Sequence, residues 1–239
     1  MNRRNFIKRG ALWVPTTFAI LKSRGQAFTL RDPAMVRKAE SSVSYLMDEG
    51  FESGTAPTGW TAASAVRVYN TSTSGLSMDG TYCLAMTSSA GSTETQSADI
   101  AGQSEIWAYF KFRTTNYVSG CRVAVLRDSG GNRALEIYCP GGGTRLYVGG
   151  GSFNSFGASL SNNTTYHCWM HWKSDGTGDA GFSTDGVRPT SGSLYTTITG
   201  GSGVSSVVRI VHSAEAAGTP TDYWDTVRLK SSQIGDNGV

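Results

Sequence analysis

The chain has 239 residues, with 21 basic and 18 acidic side chains for a formal net charge of +3, 30 glycines, six prolines and four cysteines. Six basic residues (Arg3, Arg4, Lys8, Arg9, Lys22 and Arg24) and no acidic ones precede Phe28, which leaves 15 basic against 18 acidic, or −3, for residues 28–239. With that balance and no basic cluster downstream, nucleic acid is not an expected partner, and the length suits one all-β domain rather than several.

In chain order, the first element is Asn2-Arg3-Arg4-Asn5-Phe6-Ile7-Lys8, which runs into an apolar stretch at 10–21. The paired arginines, Phe6 and Lys8 at fixed spacing and the small residues Gly25-Gln26-Ala27 make residues 1–27 similar to a twin-arginine export signal. An apolar run of about a dozen residues is too short to cross a bilayer core of ~30 Å as a helix, so the mature form is expected to carry no membrane span. The destination is then periplasmic, cell-surface or extracellular. The alternative is a retained basic arm that anchors the chain in a virion-like assembly. Residues 28–44 read as a linker, with a short helix around 33–40 that Asp32 caps and Pro33 begins.

From Tyr45 the composition turns to Gly, Ser, Thr and aromatics, and short alternating runs are punctuated by turn residues, the pattern of a β-sandwich. Alternation predicts strands at 82–87, 105–113, 121–128, 134–139, 145–148, 165–173, 180–183, 206–212 and 225–230. Tight reversals are expected at 129–132, Asp175-Gly176 and Asp185-Gly186, where Gly, Asn and Asp tolerate positive φ. The domain is placed at 45–231, and 232–239 are expected to form a flexible tail. If the hairpin turns at Gly130, Val125 faces Leu135, Val123 faces Ile137 and Cys121 faces Cys139, which predicts a Cys121–Cys139 disulfide. Cys83 and Cys168 either pair by elimination or remain buried thiols.

The ordered segments Asp48-Glu49-Gly50-Phe51-Glu52, Pro57-Thr58-Gly59-Trp60, Gly80-Thr81-Tyr82-Cys83-Leu84, Thr165-Tyr166-His167-Cys168-Trp169, Phe182-Ser183-Thr184-Asp185-Gly186-Val187 and Asp222-Tyr223-Trp224-Asp225-Thr226-Val227-Arg228-Leu229 together resemble the concanavalin A-like lectin and glucanase superfamily in its laminin G-like form. The resemblance covers nearly all of 47–230. It implies an all-β, antiparallel two-sheet jelly-roll sandwich whose first and last strands meet, and a function in glycan or protein binding or in glycoside hydrolysis.

The hydrolase branch of that superfamily carries a Glu-x-Asp-x-x-Glu strand that sets two carboxylates about 5 Å apart. Here Glu136 stands alone between Leu135 and Ile137, Glu105 has no acidic partner at i+2 or i+5, and Glu94 sits in a polar stretch. No nucleophile elbow is present. His167 and His171 are four apart on a strand, about 13 Å, too far to share a metal ion. No cofactor is expected beyond a structural Ca²⁺, for which Asp175, Asp179 and Asp185 are loop candidates without a recognised spacing. For ligand binding, the alternation of 165–173 sets His167, Trp169 and His171 on the face opposite Tyr166, Cys168, Met170 and Trp172, and Trp107 and Tyr109 lie on the corresponding face of their strand. Flat rings with polar neighbours are what a sugar platform requires. The function expected is an exported, non-catalytic carbohydrate-binding or adhesion module. The alternatives are a structural or decoration protein of an extracellular or virion-like assembly, and a glycoside hydrolase with atypical residues. Partners are accordingly a glycan or cell-surface polysaccharide, or proteins of an assembly.

Overall fold

The computed structural model describes residues 22–23, 26–27, 44–62, 66–71, 76, 78–87, 93–116, 121–140, 143–149, 151–201, 203–214 and 221–239. The twin-arginine motif and the linker helix at 33–40 lie outside the described residues. The chain divides into two units, Met1–Ser42 and Val43–Val239. In the first, β1 (Lys22–Ser23) pairs antiparallel with β2 (Gln26–Ala27).

The second unit holds β3 (Met47–Glu49), β4 (Thr61–Ala62), β5 (Val66–Asn70), β6 (Tyr82–Thr87), β7 (Thr93–Gln96), β8 (Glu105–Thr114), β9 (Cys121–Arg127), β10 (Arg133–Cys139), β11 (Arg145–Val148), β12 (Ser152–Ser155), β13 (Tyr166–Lys173), β14 (Thr177–Ser183), β15 (Tyr195–Thr199), β16 (Arg209–Ala214) and β17 (Thr221–Lys230). They form two antiparallel sheets. One has seven strands in the order β12-β11-β10-β9-β16-β7-β4; the other has eight, in the order β15-β14-β13-β8-β17-β6-β5 with β3 paired to β17. The result is the two-sheet jelly-roll sandwich expected, and its first and last strands meet through the pairing of Glu49 with Val227.

Period-two alternation builds the core. Ile106, Ala108, Phe110 and Phe112 of β8 and Tyr166, Cys168, Met170 and Trp172 of β13 turn inward, where they meet Leu126, Leu135, Ile137, Leu146, Val148 and Ile210 of the opposing sheet. Each large side chain so buried contributes roughly 1.5–3 kcal/mol, which is what holds the sheets face to face. The core is not wholly apolar: His212 of β16 and Asp222 of β17 are 1% and 2% exposed and approach to 3.3 Å across the sandwich. His212 Nδ1 also lies 3.0 Å from the Val123 carbonyl.

All nine expected strands are present, two with the expected bounds (82–87 and 145–148) and seven with shifted ends. The strands missed, β3, β4, β5, β7, β12 and β15, are short or lie toward sheet edges, and most are rich in Ser, Thr and Gln. A strand such as β12, exposed along its whole length, needs no apolar alternation, so periodicity could not mark it.

Two local irregularities matter below. The β9–β10 hairpin is expected to keep one register throughout, but it slips by one residue between Arg133 and Leu135 and slips back between Ile137 and Tyr138. Leu135 therefore faces Leu126, not Val125, while Cys139 still faces Cys121 because the two bulges cancel. In β17 a bulge falls between Asp225 and Arg228, where the strand exchanges β6 for β3 as a neighbour. Thr226 there has φ 51°, strained for a β-branched residue and held by its amide on Asp225 Oδ1 (2.7 Å) and its hydroxyl on Asp79 Oδ2 (3.1 Å).

Two further expectations are corrected. The disulfide is not formed: Cys121, Cys139, Cys83 and Cys168 are all free buried thiols. Cys121 faces its intended partner but donates its proton to Asp222 Oδ2 at 3.4 Å, an acceptor that only the opposing sheet supplies. Residues 232–239 do not form a flexible tail. Ile234 is fully buried against Tyr109 and Trp169, Gly235 O accepts Trp169 Nε1 at 2.9 Å, and Gly238 O accepts Tyr45 OH at 2.8 Å. The two rings offer an apolar seat, and around it Tyr45 OH and Arg228 Nη1 donate to carbonyls of the final turn, Asp236–Gly238.

Candidate functional site

The five aromatic and histidine side chains expected to bind a ligand do lie together, on the outer face of the eight-stranded sheet. The β8–β13 register sets Trp107 beside His171 and Tyr109 beside Trp169, with His167 beside Lys111. Their exposure differs sharply. Tyr109 and Trp169 are 0% and 1% exposed beneath the C-terminal segment. Tyr109 OH is 2.7 Å from His167 Nδ1, and burial pushes the phenol up and the His167 imidazole down, the Lys111 charge adding to the second effect. Trp107 stacks on His171 with ring centroids 3.7 Å apart and 9° between planes, and the Arg188 guanidinium lies 4.4 Å from the Trp107 centroid. The two His171 nitrogens are each 2.8 Å from a carboxylate, Asp179 Oδ2 and Glu105 Oε1. Every polar group of that imidazole is already engaged by the protein.

Below this row a small cleft of about 180 Å³ is lined by Met78, Asp79, Lys111, Thr165, His167 and Thr184. The three aspartates considered for Ca²⁺ act separately: Asp175 caps the Thr177 amide at 2.8 Å, Asp185 caps the Val187 amide at 3.0 Å, and Asp179, which lies in strand β14 and not in a loop, holds His171 and Arg188. Among the described residues no group of three or more His, Cys, Asp or Glu side chains is placed to hold a metal ion.

The outer face of the seven-stranded sheet is different in kind. Register sets Tyr138 beside both Arg122 and Arg145, Tyr147 beside Glu136 and Phe153, and Val125 beside Glu136. Tyr138, Tyr147 and Phe153 form a ladder with centroid separations of 5.8 and 5.1 Å, and Phe153 at its end is 46% exposed. Guanidinium groups interleave with the rings: Arg122 lies 5.9 Å from the Tyr138 centroid, Arg133 6.0 Å from Tyr147 and Arg145 4.4 Å from Phe153. Beneath them Glu136, 0% exposed, accepts from Arg122 Nε at 2.6 Å and also pairs with Arg133. Glu94 takes a bidentate pair from Arg127 at 2.8 and 2.9 Å. The ladder borders a polar cavity of about 380 Å³ lined by Glu94, Arg122, Val125, Arg127, Gly131 and Arg133.

None of these residues is expected from the sequence to bind a ligand, Glu136 and Glu94 entering only as hydrolase carboxylates, although a signal was available. The apolar face of 134–139 is Leu135, Ile137 and Cys139, so Glu136 and Tyr138 had to point away from the core. That the outer face continues through Tyr147 to Phe153 depended on β12, a strand periodicity does not reveal.

No protein-family model and no curated protein sequence matches the chain. Among solved structures the chain is similar to a carbohydrate esterase from the Shiga toxin-encoding bacteriophage phi24B, with a TM-score of 0.53 and 13% identity over 78% of this chain and 98% of that one. It is similar to the botulinum neurotoxin serotype D/C binding domain, with a TM-score of 0.52 and 12% identity over 82% of this chain and 50% of that one. It is also similar to the T. cruzi calreticulin globular domain, with a TM-score of 0.50 and 10% identity over 80% of this chain and 89% of that one. At such identities the likeness establishes architecture alone: an all-β, antiparallel two-sheet jelly roll.

Proposed function

We propose that the chain is an exported, non-catalytic carbohydrate-binding module that takes its ligand on the outer face of the seven-stranded sheet. The observation that carries this reading is the accessible ladder Tyr138, Tyr147 and Phe153, interleaved with guanidinium groups beside a polar cavity. Ring faces pack on the C–H faces of a pyranose, and fixed N–H donors orient its hydroxyls. The row centred on Trp169 has the same chemical ingredients, but its two middle rings are already covered by the protein's own C-terminal residues. The architectural likeness to a bacteriophage protein named as a carbohydrate esterase is compatible with a carbohydrate ligand. Export rests on the resemblance of residues 1–27 to a twin-arginine signal.

Glycan-array screening followed by affinity electrophoresis tests the reading. Tyr147→Ala is expected to weaken binding about tenfold or more, equivalent to ~1.4 kcal/mol. If Trp107→Ala abolishes binding while Tyr147→Ala does not, the site belongs to the eight-stranded sheet. A stable oligomer that binds no glycan would favour the assembly role instead.

A further inference from the structure

The outer face of the seven-stranded sheet presents charge as well as rings, and its charges are layered. The Glu136 carboxylate is wholly buried, whereas the Arg133 side chain paired with it is 40% exposed. The Arg145 guanidinium lies on the exposed Phe153 ring, donates to Tyr147 OH at 3.4 Å, and has no carboxylate partner among the described residues. A ligand approaching the ladder from solvent therefore meets guanidinium edges and aromatic faces, with the carboxylate beneath.

We propose that the ligand of this face is an anionic polysaccharide, whose carboxylate or sulfate groups are taken by Arg145 and Arg133 while its sugar rings lie on Tyr147 and Phe153. This rests on the carbohydrate-binding reading and specifies its ligand class. A guanidinium is planar, permanently charged and weakly hydrated, so it pairs bidentately with a carboxylate or sulfate and stacks on a ring at the same time. The position of Arg145 over Phe153 leaves its N–H edge available for the first while it performs the second. A neutral sugar hydroxyl would take one charge-assisted hydrogen bond from Arg145, whereas a carboxylate or sulfate takes two at once and supplies the counter-charge that Arg145 lacks among the described residues. A nucleic acid is the poorer match, because residues 28–239 carry a net −3 and phosphate-backbone binding draws on many cations acting together.

The test uses the full folded chain and pairs of polymers that differ only in charge. Polygalacturonate is compared with its fully methyl-esterified form, and dextran sulfate with dextran, by affinity electrophoresis and calorimetry at low and moderate salt. Stronger binding, by about tenfold or more, to polygalacturonate than to its ester assigns a carboxylate ligand; the same preference for dextran sulfate over dextran assigns a sulfate. Arg145→Gln is expected to reduce that preference about tenfold without changing the near-ultraviolet circular dichroism. Equal binding to charged and neutral partners overturns this inference and leaves the carbohydrate-binding reading standing. Binding to no glycan at all sinks both. Binding of a single-stranded oligonucleotide as tight as that of either polyanion overturns the assignment to glycans.

Discussion

Asp225 shows how burial at one position reaches the stability of the whole chain. It is 0% exposed in the β17 bulge, and burial pushes its carboxyl up to about 8, although the Thr226 amide at 2.7 Å favours the charged form. Its Oδ2 has no hydrogen-bond partner among the described residues. A folded pKa above the unfolded value of about 3.9 means that the native state holds this proton more tightly than the unfolded state does. The contribution is complete below about pH 4 and is lost as pH rises through about 8. Asp225→Asn keeps the shape without the charge. Urea midpoints of the wild type, measured from about pH 5 to 8.5, are expected to fall more steeply with pH than those of the variant; parallel curves would refute the assignment. His167 acts in the opposite sense: burial pushes its imidazole down, so its contribution is present above about pH 6.5 and is lost as pH falls below that. The identity of Asp225 was plain in the sequence, but its environment was not, because Asp79, Lys111 and Glu52 come from distant segments.

The C-terminal segment and the β9–β10 hairpin show what an element decides that its own residues do not announce. Gly238 has φ 76°, and a Cβ there would run into the Tyr109 ring. Gly238→Ala is expected to cost at least about 1 kcal/mol and to loosen Ile234 from Trp169. Chemical denaturation together with the tryptophan emission maximum checks this, and an unchanged midpoint with unchanged emission would show that the segment does not depend on that close approach. Nothing in 232–239 is strongly apolar except Ile234 and Val239, so periodicity reads the stretch as tail. It docks because two rings from β8 and β13 present a surface that fits it. In the hairpin, the pairing of Cys121 with Cys139 was legible from the turn at Gly130, yet only through two compensating bulges that alternation does not register.

The whole sandwich encloses all four thiols, and their chemistry reports on global opening. Burial pushes the Cys83 thiol up to about 12; Cys168 is raised for the same reason, and Cys121 by its contact with Cys139 together with burial. A thiolate is the reactive species, so a maleimide or disulfide reagent is expected to modify none of the four in native buffer and all four in denaturant without reductant. Modification of only two in denaturant would reveal a disulfide that the native structure does not contain. The sequence by itself determined the fold class, the nine strands with strong alternation, the inward faces of those strands and the glycine turns, because these follow from the period of two and from φ preferences local to each segment. Tertiary structure alone decided which outer face is open to a ligand. Trp169 and Tyr147 both point away from the core, but Gly235, 66 residues beyond Trp169, closes the first face, and the neighbouring strand β12 leaves the second accessible. Exposure is a property of what else in the chain arrives at a surface, and local periodicity carries no record of it.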